Sequence, residues 1–317
     1  MTGETERHPA FGRMFGDGGL SLGFVLPVAS PPDRPVDWRE QLALAALADR
    51  LGFAGLWVRD VPLNSPAYPD PIGHSDPWTL LGALAARTER IALLTGAVVL
   101  PLRHPLHVAK AALSVDALSG GRFLLGLGAG DRAFEFAAFG RDRETRRDIF
   151  RDGWRRVAAA LGPEAAVIPD IAGEETVRLE MRPRPLFGRI PMLAVGSAAQ
   201  PLEWIARNAA GWATYHRPFP AQRDRIGLWK AAVTKAGGPF RGFSQTMALD
   251  LREDPHAPAE EIELGYRLGR NALVDALHGL RAIGVHHVMF NLSRTSRPAA
   301  EVMEELACEV MPGLATS

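Results

Sequence analysis

The sequence of 317 residues has one cysteine, no excess of either charge and no long apolar run. A single cysteine, Cys308, excludes a disulfide framework and a cysteine-based zinc site, and is typical of a reducing compartment. The 36 Lys and Arg residues balance 36 Asp and Glu residues, which disfavours nucleic-acid binding through a basic patch. No run reaches the roughly 18 apolar residues that span a bilayer. Residues 1–15 carry acids and lack an apolar core, so we expect no signal peptide, no membrane partner and a cytoplasmic location.

What the sequence does have is one repeated pattern, a short apolar run followed by an amphipathic helical stretch. Eight such units predict a parallel sheet covered by helices, which we expect to close as a (β/α)8 TIM barrel. An open doubly wound sheet is the alternative. Barrels of about 250 residues plus insertions form one unit, so residues 1–317 are expected to be a single domain. The predicted strands are residues 20–26, 53–58, 91–100, 123–127, 192–195, 212–215, 243–251 and 288–292, and the predicted helices are residues 37–51, 77–87, 105–118, 144–161, 202–208, 223–236, 260–283 and 299–311.

Three local features refine this prediction. Asp76 is a suitable N-cap for the second helix, with Pro77 at its first position. Gly96 interrupts the third strand. Residues 162–189 break the rhythm and hold four prolines, so we expect an insertion or short hairpin between strands 4 and 5.

Charged residues follow several predicted strands at their carboxyl ends, where such barrels place their active sites. Asp60 follows the second strand and Asp131 the fourth, and each is a candidate acid or base. A loop cap is the alternative for both.

Histidines cluster in two places. His104 and His107 have a spacing of i, i+3, but no acid nearby completes a ligand set. His286 and His287 open the eighth strand at its amino end, away from the candidate rim. We therefore expect no metal site.

The turn Gly196-Ser197-Ala198 joins a predicted strand to a helix. Small residues there let backbone N–H groups approach an anion, and the start of a helix favours negative charge. The turn is a candidate phosphate site, and the alternative is that Ser197 is only an N-cap.

The string Gly128-Ala129-Gly130 ends the fourth strand. It does not complete the GxGxxG pattern of dinucleotide-binding folds. Glycines at a strand end indicate instead a flat ligand that lies against the backbone.

Residues 95–105, 110–122 and 123–131 together resemble the bacterial luciferase-like flavin-dependent monooxygenase family. The most specific part is the Ser-X-Asp-X-Leu-Ser-X-Gly-Arg string from Ser114 to Arg122, and the resemblance covers nearly the whole chain. It implies a (β/α)8 barrel with an insertion, which binds FMN or the deazaflavin coenzyme F420 at its carboxyl rim. A homodimer is also implied.

The resemblance implies positions for the cofactor. In this family the third strand carries a non-proline cis peptide against which the isoalloxazine packs, and the matching pair here is Gly96–Ala97. The glycine-rich strand end matches the stretch along the flavin edge, and the serine turn matches a phosphate-binding turn. Together with Leu26 at the end of the first strand, the predicted cofactor-binding residues are Leu26, Gly96, Ala97, Gly128, Ala129, Gly130, Gly196, Ser197 and Ala198.

The sequence also departs from the family. Many members have a His directly after the Asp at the second strand end, whereas Val61 follows Asp60 here. Ala129 stands where luciferase itself has an Arg, so aldehyde-dependent light emission is disfavoured. Asp131 matches a carboxylic acid that some F420-using members carry, which makes it the first catalytic candidate, ahead of Asp60 and His104.

The resemblance implies a monooxygenase that uses reduced FMN and O2 on a small organic substrate. A separate flavin reductase would supply the reduced FMN. The alternatives are an F420-dependent dehydrogenase or reductase, which transfers hydride, and a non-catalytic flavin-binding protein.

Overall fold

A closed barrel of parallel strands forms the centre of the computed structural model, which describes residues 8–16, 19–29, 35–66, 69–70, 72–169 and 179–314. The strands are β1 (Ser21–Leu26), β2 (Gly55–Val58), β3 (Ala92–Thr95), β4 (Val98–Val99), β5 (Phe123–Gly128), β6 (Met192–Val195), β7 (Gly211–Tyr215), β8 (Gly242–Leu251), β9 (Glu260–Ile262), β10 (Gly265–Leu268) and β11 (His287–Asn291). The helices are α1 (Pro9–Phe15), α2 (Trp38–Arg50), α3 (Pro77–Arg87), α4 (Pro105–Ser119), α5 (Ala133–Ala138), α6 (Arg146–Ala160), α7 (Leu202–Asn208), α8 (Phe219–Ala236), α9 (Arg270–Ile283), α10 (Ala299–Glu305) and α11 (Met311–Leu314).

The barrel strands follow the order β1, β2, β3, β5, β6, β7, β8 and β11, and β11 pairs with both β8 and β1. All these pairings are parallel, and helices lie between successive strands, so the predicted TIM barrel is confirmed. The short β4 follows Gly96 and pairs with the outer end of β5. The predicted interruption of the third strand is therefore present.

Local capping explains where several helices begin and end. The Asp76 carboxylate accepts hydrogen bonds from the backbone N–H groups of Trp78 and Thr79, at 3.0 and 3.1 Å, and Pro77 is the first residue of α3. Gly120 has a φ of +67° and ends α4 in the left-handed conformation that glycine adopts without strain. Both boundaries agree with the sequence prediction.

The prediction of one helix over residues 260–283 was wrong in its first half. There the chain forms a hairpin of β9 and β10, and α9 begins only at Arg270. The outer end of β8 extends beyond the barrel, and β10 pairs with it from Gly265 to Leu268. These backbone hydrogen bonds outweigh the helical propensity of the glutamates in this stretch.

Three other elements differ from the prediction. Helix α1 was not predicted, and α8 begins at Phe219 rather than at residue 223. The last predicted helix contains a π-helix, Leu306–Val310, between α10 and α11. In the insertion of residues 162–189, Ala166 and Glu180 form an antiparallel bridge, while its residues 170–178 are not among those described.

Apolar side chains form two buried clusters, one between the sheet and its helices and one inside the barrel. Helix α1 supplies Phe11, Met14 and Phe15 to the inner cluster. A Cβ built on Gly55 would lie 2.6 Å from Met14 Sδ, and one on Gly242 would lie 2.5 Å from the Phe15 ring. Helix α1 therefore closes the amino end of the barrel, and strand glycines make room for it. None of the described helices is long and apolar enough to cross a membrane.

Candidate active site

The interior of the barrel is filled by layers of four side chains that come from alternate strands. The strand register and the alternation of side chains place Trp57 in a layer with Gly126, Ala213 and Met289. The next layer toward the carboxyl end contains Val25, Gly96, Val195 and Thr246, and the layer above it contains Arg59, Gly128, Tyr215 and Asn291.

The described residues of these upper layers are the more exposed part of the barrel interior. Trp57 and Met289 are buried, whereas Gly96, Val195 and Thr246 are partly exposed and Tyr215 is exposed. The carboxyl end of the barrel is therefore an open mouth, in the place where TIM barrels hold their ligands.

One wall of the mouth is made of backbone and small side chains. The Gly96–Ala97 peptide bond is cis, as the resemblance implies. A Cβ built on Gly96 would lie 2.6 Å from Cε3 of Trp57, so only glycine fits over this ring. A Cβ built on Gly128 would lie 3.2 Å from Ala97 Cβ. Gly96 thus lies over the indole of Trp57, with Ala97 and Gly128 next to each other beside it, and a planar ring can approach this surface closely.

Across the barrel, Thr246 is the polar member of its layer. Its Oγ1 is buried and has no hydrogen-bond partner among the described residues. Because no hydrogen bond holds the hydroxyl, rotation about χ1 can turn it toward a ligand in the mouth. An unpartnered hydroxyl opposite a flat apolar wall fits a planar ligand that carries hydrogen-bond acceptors.

Below the mouth, a buried polar chain holds Trp57 in place. Trp57 Nε1 donates to His287 Nε2 at 3.1 Å, and His287 Nδ1 lies 2.7 Å from Ser21 Oγ, which donates to the Met14 carbonyl at 2.7 Å. Burial lowers the pKa of His287 to about 3. These hydrogen bonds require a neutral His287, because its Nε2 must accept a hydrogen bond from the indole N–H of Trp57.

Asp60 lies at the rim but is fully occupied by other groups. Its carboxylate accepts two hydrogen bonds from the Arg103 guanidinium, at 2.9 and 2.7 Å, and one from the Val99 backbone N–H at 3.1 Å. Only 2% of the Asp60 side chain is exposed. Through these contacts Asp60 links the loop after β2 to the segment that follows Gly96.

Asp131 and His104 lie in different surroundings. Asp131 is exposed beyond β5 and makes no hydrogen bond or ion pair with the other described residues. His104 is the N-cap of α4, and its Nδ1 accepts from the Leu106 backbone N–H at 3.2 Å. Of the two carboxylate candidates, Asp60 is engaged by Arg103 and Val99, whereas no group of the described residues engages Asp131.

The turn after β6 differs from its predicted form. Gly196, Ala198 and Ala199 all have positive φ angles, of +64°, +48° and +51°, and Ser197 Oγ accepts from the Ala199 backbone N–H at 3.3 Å. Helix α7 begins at Leu202, as predicted, and its N-cap is Pro201. Ser197 therefore caps the turn and not the helix, and the alternative that Ser197 is only a helix N-cap was wrong.

The remaining residues of the predicted cofactor set line the same rim. Leu26 and Ala129 are buried, at the ends of β1 and β5. Gly130 has a φ of +76°, and a Cβ there would lie 2.8 Å from Val99 Cγ1. The structure thus brings the ends of β1, β3, β5 and β6 to one rim.

The rim also contains a charged cluster that the sequence did not predict. The Asp70 carboxylate accepts from Arg59 at 3.2 Å and from Arg132 at 3.0 Å, and lies 3.4 Å from His74 Nε2. The hydrogen bond from His74 and the charge of Arg59 lower the pKa of Asp70, against its burial. The four residues are spread from position 59 to 132 without a regular spacing, so no pattern could have indicated them.

The residues that carry the family resemblance most specifically lie away from the mouth. Arg122 donates to the Thr88 hydroxyl and to the Ile91 carbonyl, at 2.9 and 2.8 Å, and so joins the ends of α3 and α4. The Asp116 carboxylate accepts from the Leu186 backbone N–H at 2.9 Å, and burial raises its pKa. These contacts stabilise the barrel, and the residues that make them do not line the mouth.

Among the described residues, no group of three or more His, Cys, Asp or Glu side chains is placed to hold a metal ion.

Comparison with known proteins places these features in a family. Residues 20–252 match the family model of the luciferase-like monooxygenases. The sequence is 35% identical over 226 residues to 4-hydroxyprotoasukamycin monooxygenase from Streptomyces nodosus subsp. asukaensis, which covers 69% of this chain and 58% of that protein.

Solved structures share the fold at low sequence identity. One is the oxygenating constituent of 3,6-diketocamphane monooxygenase from Pseudomonas putida in complex with FMN, with a TM-score of 0.71 and 14% identity over 93% of this chain and 98% of that one. Another is the coenzyme F420 dependent tetrahydromethanopterin reductase from Methanopyrus kandleri, with a TM-score of 0.72 and 17% identity over 94% of this chain and 100% of that one.

Proposed function

The chain belongs to the family of luciferase-like monooxygenases, and from this premise we propose that it is a flavin-dependent monooxygenase that acts on a small organic substrate with reduced FMN and O2. The relative from Streptomyces nodosus is named a monooxygenase. The structural neighbour from Pseudomonas putida, which shares the fold, is in complex with FMN.

The observation that carries the proposal is the flat wall of the mouth. Gly96, Ala97 and Gly128 leave a surface without protruding side chains, and Trp57 supports it from below. The isoalloxazine of FMN is a planar, largely apolar ring with several hydrogen-bond acceptors. Thr246 offers a hydroxyl to such an acceptor from the opposite strand.

The residues around this wall have separate parts in the proposal. Leu26, Ala129 and Gly130 complete the surface along the ring edge. The turn of residues 196–198 holds the phosphate through its backbone N–H groups and the Ser197 hydroxyl.

When bound, reduced FMN would supply the two electrons with which one oxygen atom of O2 enters the substrate while the other leaves as water. The chain orients the reactants and limits water at the wall. Asp131 accepts or donates a proton at its carboxylate, while Asp60 and His104 hold the loop and helix that flank the wall. A separate flavin reductase provides the reduced FMN, in keeping with the description of the Pseudomonas neighbour as an oxygenating constituent.

An F420-dependent dehydrogenase or reductase is the second candidate. The exposed carboxylate of Asp131, which matches an acid of F420-using members, favours it. The reductase from Methanopyrus kandleri has the same fold. In that case hydride passes between F420 and the substrate, and O2 takes no part.

Absorbance titrations of the protein with FMN and with F420 test the proposal. We expect FMN to bind, and we expect a flavin reductase with NADH to drive substrate-dependent O2 consumption in its presence. Binding of F420 alone would favour the second candidate, and FMN binding without turnover on a panel of small organic substrates would indicate a non-catalytic flavin-binding protein. Binding of neither would refute all three functions.

A pair of variants locates the binding site. Ala97→Leu places a larger side chain on the wall and should abolish FMN binding while the fold remains intact. Ala231→Leu makes the same change on an exposed position of α8 and should leave binding unchanged. Equal FMN affinity in both variants would place the ring elsewhere.

A further inference from the structure

A groove of about 600 Å³ opens on the outside of the barrel, between α6 and α7. Ile190 and Met192 form part of its floor, beside Ala210. These residues lie at the amino ends of β6 and β7, so the floor of the groove lies toward the amino end of the barrel and outside the mouth. Its volume is in the range of small-molecule sites, which is roughly 300–1,000 Å³. A ligand held here is not the one held in the mouth.

One wall of the groove is an aromatic surface that other rings hold in place. Trp204 on α7 is half-buried, and its ring centre lies 5.5 Å from that of the buried Trp154 on α6, edge to face. Phe150 contacts both rings. The guanidinium carbon of Arg151 lies 6.0 Å from the centre of the Trp204 ring. Trp204 is thus a fixed, half-buried indole that lines the groove, with a cation over its ring.

The groove is lined by four arginines and two aspartates, Asp148 and Asp152, so its rim carries an excess of positive charge. Arg189, half-buried before β6, and Arg207, exposed in the last turn of α7, both line the groove. Within the described part of the chain, neither makes a hydrogen bond or an ion pair with an acid. The nearby Asp152 is already engaged by Arg155 and Arg156, at 2.9 and 2.7 Å.

We propose that this groove binds a planar aromatic carboxylate, with its ring on Trp204 and its carboxylate between Arg189 and Arg207. A ring gains contact with the indole face or edge and with the apolar floor. A carboxylate matches the fork of donors that a guanidinium presents, and two unpaired guanidinium groups favour an anion over a neutral head group. The site does not depend on the proposed function, because it shares no residue with the mouth.

Titration with naphthalene-2-carboxylate, followed by tryptophan emission, tests the site. We expect saturable quenching, which naphthalene-2-carboxamide, the neutral analogue, produces only at concentrations about tenfold higher or more. Arg189→Gln and Arg207→Gln should each weaken binding of the carboxylate by roughly tenfold and leave binding of the amide unchanged. Trp204→Phe should remove most of the quenching.

Arg223→Gln is the matched control, because Arg223 is an exposed arginine on α8 outside the groove. It should bind the carboxylate as the unaltered protein does. Circular dichroism of every variant checks that the fold is retained. Saturating FMN should not displace the carboxylate, and displacement would assign the binding to the mouth.

Two further results would overturn the proposal. The first is equal affinity for the carboxylate and the amide, or no saturable binding of either, since recognition of the anion is the core of the inference. The second is self-association in sedimentation velocity that Arg207→Gln abolishes. That result would make the groove an interface between two copies of this chain.

Discussion

His287 should make the stability of this protein depend on pH in a way that a single substitution can remove. Its imidazole is wholly buried in the barrel, between Ser21 Oγ and Trp57 Nε1. Burial lowers its pKa from 6.5 to about 3. In the unfolded chain the same group has its ordinary pKa and takes up a proton below pH 6.5.

The sign and the size of the effect follow from this difference. Between about pH 4 and pH 6 the unfolded state holds a proton on His287 and the folded state does not, so the free energy of unfolding falls as the pH falls. The slope contributed by one such histidine is about 1.4 kcal/mol per pH unit. The stabilisation is complete above pH 6.5, and about 5 kcal/mol of it is lost once the pH passes below the folded pKa.

Urea denaturation at several pH values between about 4.5 and 7.5 measures this slope. His287→Gln keeps a hydrogen-bond acceptor for the Trp57 indole but cannot titrate. We expect this variant to be less stable near pH 7 and to have a slope shallower by about 1.4 kcal/mol per pH unit. His107→Gln, at an exposed position on α4, is the control and should retain the original slope.

Other histidines add to the slope of the unaltered protein and do not affect the comparison. Burial lowers the pKa of His8 and of His216 to about 4 in each case. Both side chains are present in the two variants, so their contributions cancel in the difference. An unchanged slope in His287→Gln would show that His287 is protonated in the folded barrel, and it would refute the hydrogen-bond directions assigned to Trp57 and Ser21.

Substitutions at four further positions test the rim. Asp60→Asn should lower the free energy of unfolding by about 2–3 kcal/mol in urea titrations, because it leaves the Arg103 guanidinium opposite an amide; unchanged stability would exclude a fastening role. Ser197→Ala should weaken FMN binding by about 1 kcal/mol, and equal affinities in a fluorescence titration would place the phosphate elsewhere. Asp131→Asn should reduce turnover on the order of 100-fold with FMN affinity nearly intact, and preserved turnover per bound flavin would remove Asp131 from the mechanism. Thr246→Val should leave stability unchanged or slightly higher while FMN binds less tightly, and Thr246→Ser should restore the affinity; the reverse pattern would give the hydroxyl a structural role.

The sequence predicts most of the barrel because local signals and the tertiary structure agree there. Asp76 and Pro77 define the start of α3 by themselves, and an apolar run such as that of β5 is buried on both sides whichever strands it pairs with. The prediction fails at residues 260–268, where the outcome depends on the free edge of β8, a partner that lies outside the local sequence.

The site was predictable in its backbone and not in its side-chain contacts. Glycines at strand ends indicate where a ring can approach, and this holds for Gly96 and Gly128. The contacts of Asp60 with Arg103, or of Asp70 with Arg132, join residues more than forty positions apart and depend on the curvature of the closed barrel. His287 shows the same limit, because its position at the amino end of a strand gave no sign that it points inward to Trp57.

The closure of the barrel by α1 determines how molecules can enter and leave it. Phe11, Met14 and Phe15 fill the amino end, so that the part of the chain the structure describes leaves one opening to the interior, at the carboxyl end. Two molecules that occupy the interior together must then pass through the same opening one after the other. The molecule that lies nearer Trp57 must arrive first and depart last. Binding in the mouth is therefore expected to be kinetically ordered, with an outer ligand slowing the release of the inner one.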